Sequence, residues 1–225
     1  MRKLPFPSLM EIESVAGKTI DLEAGKMIIG LTGFYCSGKS TAEQYLKEDF
    51  GFYVIDMDKI GHKVHELPEV KNEIAKLFGA QSIADDGSVN RKFLGALVFS
   101  DKAQLNKLNL LMRPFIMRLL EDELQQHKNE NIVISAALLF DAGLDSYCKK
   151  VLVARVSLYK IFIRAWKRDR HSFIRTWQIL RNQKLKEYIN QRAETVDIVF
   201  INTNGTTDQL KTRLPEVLKN EAIKR

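Results

Sequence analysis

The sequence predicts an α/β fold built on a five-stranded parallel sheet. Three observations carry that expectation. Five short apolar runs recur along the chain, most of them separated by helical patterns. The first run leads directly into a glycine-rich stretch, Gly33 to Ser40, and then into a helical pattern. Two later intervals are longer than a plain crossover needs, which leaves room for helical insertions.

Taken in order, Met27 to Leu31 is apolar at nearly every position, as a strand covered on both faces should be. Ser40 to Glu48 predicts a helix. "FYVIDMD", Phe52 to Asp58, predicts a second strand ending in two acids. "NIVISAALLF", Asn131 to Phe140, contains a third, and "KKVLVARVS", Lys149 to Ser157, is a fourth. "DIVFINTNG", Asp197 to Gly205, is a fifth that stops at an Asn-Gly turn signal. Met57 to Glu130 reads as all-helical, with a turn at Ala84 to Ser88. Within it Leu105, Leu108, Leu111, Ile116 and Leu119 are roughly at helical spacing, and Pro114 should start a new helix or kink one. The second long interval is Leu158 to Glu194. The expected organisation is an extension over 1–26 and one domain over 27–225. Its insertion over 57–130 would bind an acceptor, and its lid region covers 158–194.

Composition narrows the class. With 45% apolar and 28% charged residues the 225-residue chain suits a globular protein. No apolar run is long enough to cross a bilayer, and the basic start lacks the apolar core of a signal peptide. The two cysteines, Cys36 and Cys148, lack metal-ligand spacing, so a reducing cytoplasm is expected. The net charge of +7 is concentrated: between Lys149 and Arg192 the acids are Asp169 and Glu187 alone. Such a segment attracts polyanions, or it is a solvated helical face.

Gly33 to Ser40 fits G-x-x-x-x-G-K-[ST] between a strand and a helix, the context that marks a phosphate-binding loop. Gly33 and Gly38 let the backbone curl so that successive N–H groups aim at one anion. The helix start adds free N–H groups and the positive end of its dipole. Lys39 reaches the β- and γ-phosphates, and the Ser40 hydroxyl ligates Mg²⁺. A nucleoside triphosphate is the ligand this predicts, the alternative being a purely structural glycine turn.

Asp56 and Asp58 end the second strand, and ligands of an open parallel sheet bind beyond the strands' carboxyl ends. The two point the same way only if the strand persists through both. If a helix starts at Asp58, that residue caps it instead. "DKIG", Asp58 to Gly61, matches a GTPase D-x-x-G, but no N-K-x-D guanine signature accompanies it. Cys36 sits among backbone amides that should lower a thiol's pKa, unless it is merely a small tolerated residue. His62 and His65 read as helix-surface histidines. Trp166 and Trp177 lie among cations, where they either stack on nucleic acid or, more commonly, pack in the core or lid.

Several motifs in order resemble the dephospho-coenzyme A kinase family, over roughly Met27 to Leu218. "IIGLTGFYCSGKST" resembles its phosphate loop. "YVIDMDKIGHKV" is similar to its "VIDADxIAxxV", and "DGSVNRKFLGALVFSD" to its "DGxIxRxxLxxxVFxD", with Arg91, Leu94 and Phe99. "ALLFDAGLD" resembles "PLLFExGLD", and "VDIVFINTNG" resembles "ADxVIxNxG". "IFIRAWKRDRHSFIRTWQILRNQ" is similar to "QxxRxxxRDxxSxExxxxRIxxQ", placing Arg164, Arg168, Asp169 and Gln183. The chain departs from the pattern at Phe34 and Cys36, where glycines are usual, at Arg113-Pro114 for His-Pro, and at Ala137 for proline.

The resemblance implies a three-layer P-loop kinase fold with a helical acceptor-binding insertion and a helical lid. It implies transfer of a phosphoryl group from ATP, with Mg²⁺, to the ribose 3′-hydroxyl of dephospho-CoA. ATP would contact Gly33, Phe34, Tyr35, Cys36, Ser37, Gly38, Lys39, Ser40 and Thr41, with Arg164, Arg168 and Asn202. Lys39 and Arg164 would stabilise the transferring group. Asp58 would take the hydroxyl proton, and Asp56 would help hold the metal's water. Arg91 meets the acceptor or pairs with an acid. Arg164 and Arg168, four apart on one helical face, belong to a closing lid or to a surface helix with screened charges. The expected partners are dephospho-CoA and ATP, with no nucleic acid and no membrane, in a monomer or weak homo-oligomer.

Overall fold

A computed structural model describes residues 26–204 together with Leu214, Pro215 and Leu218. The predicted extension up to residue 25, and Gly205 at the end of the fifth predicted strand, lie outside the described residues.

Five strands form a sheet in the order β2-β3-β1-β4-β5. They are β1 (Ile28–Gly33), β2 (Tyr53–Asp56), β3 (Ile132–Ser135), β4 (Lys150–Arg155) and β5 (Asp197–Asn202). β1 lies between β3 and β4 and pairs in parallel with both, Ile28 opposite Ile132 and Ile29 opposite Lys150. β4 pairs in parallel with β5 from Lys150–Asp197 to Arg155–Asn202. Every residue of β1 and of β3 is buried, which explains why their sequences show no alternation of apolar and polar positions. Lys150 is buried at the start of β4, where its Nζ lies 3.5 Å from Asp197.

Contacts divide the described chain into two compact units. The first holds the residues up to Tyr53 and from Lys128 onward. Besides most of the sheet it contains helix α1 (Lys39–Glu48), a 3-10 turn at Leu144–Tyr147, and helices α6 (Leu158–Asp169), α7 (Phe173–Asn182) and α8 (Leu185–Arg192). The amphipathic α6 buries Ile161 and Ala165, four residues apart. Its neighbour α7 leaves much of its apolar surface in solvent: Phe173 and Ile174 are exposed. Trp166 and Trp177 are 57% and 45% exposed, so they are not the packed residues their composition suggests.

The second unit is Val54–His127. It contains α2 (Met57–Glu66), α3 (Pro68–Phe78), a 3-10 turn at Ala80–Ser82, α4 (Arg91–Ser100) and α5 (Lys102–Gln126). This interval is not wholly helical. A bridge between Ile83 and Val89 flanks the turn at Ala84–Ser88, closed by the Ala84 amide donating to the Ser88 carbonyl at 2.8 Å. Pro114 neither starts a new helix nor ends one: α5 continues through it. Pro114 is exposed, so water can take the hydrogen bond its missing N–H leaves behind. The buried residues of α5 are Met112, Leu120 and Leu124; Leu105, Leu108, Leu111, Ile116 and Leu119 are half-buried.

Candidate functional site

β1 delivers the chain to Gly33, and six residues later α1 begins at Lys39. Both glycines of the loop are required by their surroundings. A Cβ on Gly33 would lie 2.4 Å from the Ser37 hydroxyl and 2.9 Å from Ala154. Gly38 has φ 89°, left-handed backbone that favours glycine, and a Cβ there would press on Thr203 and the Arg164 guanidinium. Cys36 also takes positive φ, at 56°. No side chain among the described residues caps the helix at Gly38; the Thr41 amide turns back to the Gly38 carbonyl at 3.1 Å.

The loop is held from outside. Arg164 Nη1 donates to the Cys36 carbonyl at 3.2 Å, and its Nη2 to the Thr203 carbonyl at 3.0 Å. Thr203 Oγ1 donates to the Ser37 carbonyl and lies 3.0 Å from that of Arg155. The Tyr35 amide donates to Gln183 Oε1 at 3.0 Å. The Tyr35 hydroxyl donates to Asp169 and lies 3.0 Å from His171 Nδ1, while the Arg168 guanidinium sits 5.2 Å from the Tyr35 ring centre. Arg168 in turn grips Asp169 with Nε and Nη2 at 2.7–3.0 Å. These contacts set the local protonation. Hydrogen bonds from Arg168 and Tyr35 pull the Asp169 carboxyl down to about 2. Burial and the Asp169 bond push the Tyr35 phenol up. Burial likewise pushes the Cys36 thiol up, outweighing Arg168 and the Tyr35 bond. Cys36 is therefore not the acidified thiol expected from its place in the loop.

Lys39 is anchored at its tip. Its Nζ donates to Ser135 Oγ at 2.7 Å, that hydroxyl donates to Glu43 Oε2 at 2.7 Å, and the ammonium lies 3.7 Å from the same carboxylate. Ser135 is the buried last residue of β3, and Glu43 stands one turn past Lys39 on α1. Ser40 is exposed, as is Asn202, whose Oδ1 accepts from the Asn204 amide at 2.8 Å. No group of three or more His, Cys, Asp or Glu among the described residues could hold a metal. One loop hydroxyl and one carboxylate nearby, Ser40 and Glu43, suit a Mg²⁺ that keeps waters and takes its other oxygens from phosphates.

In the second unit, β2 ends at Asp56 and α2 begins at Met57, so the strand does not reach Asp58. The cap is Asp56, not Asp58: its Oδ1 accepts from the amides of Asp58 at 3.0 Å and Lys59 at 3.3 Å. Asp58 is exposed in the first turn, where the helix dipole favours a carboxylate. Arg91 Nη2 lies 3.7 Å from Glu66, both side chains about half exposed. His62 is exposed, but His65 is not the surface residue expected: its Nδ1 is buried with no hydrogen-bond partner among the described residues, and burial lowers its pKa.

Sequence reasoning did not find Ser135, Glu43, Thr203 or His171. Glu43 was within reach, since residues four apart on a helix face each other. Ser135 and Thr203 lie at the ends of strands whose neighbours are known only from the sheet order.

The family model described as dephospho-CoA kinase matches residues 27–208. A dephospho-CoA kinase of Fusobacterium nucleatum is 36% identical over 187 residues, covering 82% of this chain and 94% of that protein. One from Lactobacillus johnsonii is 30% identical over 195 residues, covering 85% and 96%. A crystal structure of a Thermus thermophilus protein superposes with a TM-score of 0.72 at 27% identity, covering 86% of this chain and 96% of that one. The dephospho-CoA kinase of Campylobacter jejuni shares the fold, with a TM-score of 0.57 at 22% identity over 86% and 96% of the two chains. With its family model matched over most of its length, this chain belongs to the dephospho-CoA kinase family.

Proposed function

We propose that this protein transfers the γ-phosphoryl group of ATP to the ribose 3′-hydroxyl of dephospho-CoA. Membership of the family supports the reaction. The observation that carries it here is the loop from Gly33 to Ser40: its helix start has no side-chain cap, and its lysine is anchored beside it.

In this reading the loop amides and Lys39 hold the β- and γ-phosphates and stabilise the charge that gathers during transfer. Ser40, with Glu43 near Lys39, would hold Mg²⁺, which offsets charge on the phosphate oxygens. Arg164 fixes the loop's shape through the Cys36 carbonyl and contributes positive charge to the same phosphates. Arg168 exchanges its bond to Asp169 for a phosphate oxygen as the segment 158–194 closes and excludes water. Asp58 takes the proton of the 3′-hydroxyl, and Asp56 positions it by capping its helix. The segment 57–130 binds the acceptor, with Arg91 available to it once released from Glu66. We place the reaction in the cytoplasm, in keeping with two free cysteines and with no described helix long and apolar enough to cross a membrane.

The test is a coupled ADP-release assay with dephospho-CoA as the only acceptor, run beside AMP, CMP and shikimate. Turnover with dephospho-CoA alone supports the reading; no turnover with it removes the reading. Added DNA or RNA should leave the rate unchanged, as expected of a protein with no nucleic-acid partner.

A further inference from the structure

We infer that Glu43 makes triphosphate binding by this protein depend on a divalent cation. The inference rests on the triphosphate reading of the loop and concerns a residue outside the phosphate-loop motif itself. Three facts carry it. Lys39 Nζ lies 3.7 Å from Glu43 Oε2, and both also bond the Ser135 hydroxyl at 2.7 Å. The two charged side chains are only 19% and 22% exposed, so water screens them weakly. The third fact is the chemistry at the end of β3. P-loop NTPases commonly pair the loop hydroxyl with an aspartate from a neighbouring strand to hold the cation. Here β3, paired directly with β1, ends in the hydroxyl of Ser135, and the carboxylate comes from α1 instead.

The electrostatic consequence follows from the signs. Without ligand, Glu43 balances the charge of Lys39. A metal-free triphosphate then meets an ammonium already paired, and a carboxylate that repels it. With a divalent cation on the phosphates the same carboxylate becomes an attraction, acting on the cation or on its bound water. Glu43 therefore opposes one form of the ligand and favours the other. That difference is a coupling between cation and nucleotide. Glu43 is a positioning residue for Lys39 as well, since it fixes the ammonium through Ser135.

The measurement is calorimetric titration of the full chain with ATP, in EDTA and in excess Mg²⁺, for wild type, Glu43→Gln and Ser135→Ala. Removing one charge about 4 Å from the lysine should tighten metal-free binding in Glu43→Gln by at least about fivefold. Binding in Mg²⁺ should tighten less or weaken, so the ratio of the two affinities shrinks. Ser135→Ala removes the bridging hydroxyl but keeps the charge, and should retain most of the ratio. A ratio in Glu43→Gln within about twofold of wild type would overturn the inference. So would an equal loss of the ratio in Ser135→Ala, which would trace the effect to the shape of the network. A wild-type chain that bound no ATP even in Mg²⁺ would remove the triphosphate reading, and this inference with it.

Discussion

The loop Gly33–Ser40 and the turn Asp56–Lys59 both take the chain from a strand into a helix, and they are built by opposite means. The turn is held from within: Asp56 uses its own carboxylate to accept the amides of Asp58 and Lys59. The loop has no such cap; Arg164, Thr203 and Gln183 hold it from outside, and Asp169 holds it through the Tyr35 hydroxyl. The braces from Arg164 and Thr203 land on the loop carbonyls of Cys36 and Ser37, while Gln183 takes the Tyr35 amide. The difference matches what the proposed reaction asks of each. A helix start meant to receive an anion cannot occupy its own N–H groups, whereas one meant to present a carboxylate can.

The comparison is broken most severely at its charged groups. Lys39→Ala removes the cation that the loop positions, and should cut transfer severely, by about 10²–10³ or more in turnover. Single-turnover phosphoryl transfer measures it. If Lys39→Ala kept near-normal turnover, the braced loop would not be the phosphate grip. Asp58→Asn should leave ATP binding close to wild type and cut turnover by about 10² or more, the lower end for a lost general base. Turnover retained in this variant would assign the proton transfer to another group, and the turn would then present no working carboxylate.

A smaller effect sharpens the contrast in construction. Because the turn depends on one internal cap, Asp56→Ala should cost about 1 kcal/mol of stability. In a chain of this size that is a fall in Tm of about 2–4 °C. Asp56→Ser, which can still cap, should recover most of it. A Tm unchanged in Asp56→Ala would mean that the helix start is fixed by packing rather than by its cap.

The same contrast explains what could be read from the sequence. The loop was legible because its spacing is a backbone requirement: Gly33 and Gly38 stand where a Cβ would collide, and Lys39 opens the helix. The sheet was legible because β1 and β3 are buried on both faces and show it as unbroken apolar runs. The braces were harder to see. Ser135 and Thr203 meet the loop only once β3 and β5 take their places in the sheet, and a lone serine or threonine carries no pattern. The two acids were misread in register because a strand and a capped helix start share the sequence "VIDMD". The choice between them lies in two hydrogen bonds from the helix amides to Asp56. Trp166 and Trp177 misled for another reason: aromatic residues are usually buried for their area, and these stand on the outer side of α6 and α7.

The smallest expected effect tests whether the outside bracing of the loop is ionic. Asp169 joins Arg168 to the Tyr35 hydroxyl, and those bonds hold its carboxyl at about 2, below the ordinary value of about 3.9. A group whose folded pKa is depressed stabilises the fold above its unfolded pKa, and loses that contribution as pH falls through the folded value. The wild-type Tm should therefore exceed that of Asp169→Asn by a constant margin from neutral pH down to about 4. The margin should close between about 4 and about 2. Its size will be modest, because the Arg168–Asp169 pair is well exposed to water. What matters is where it closes. A margin that persisted unchanged to the acid limit would mean that Asp169 braces the loop by shape alone.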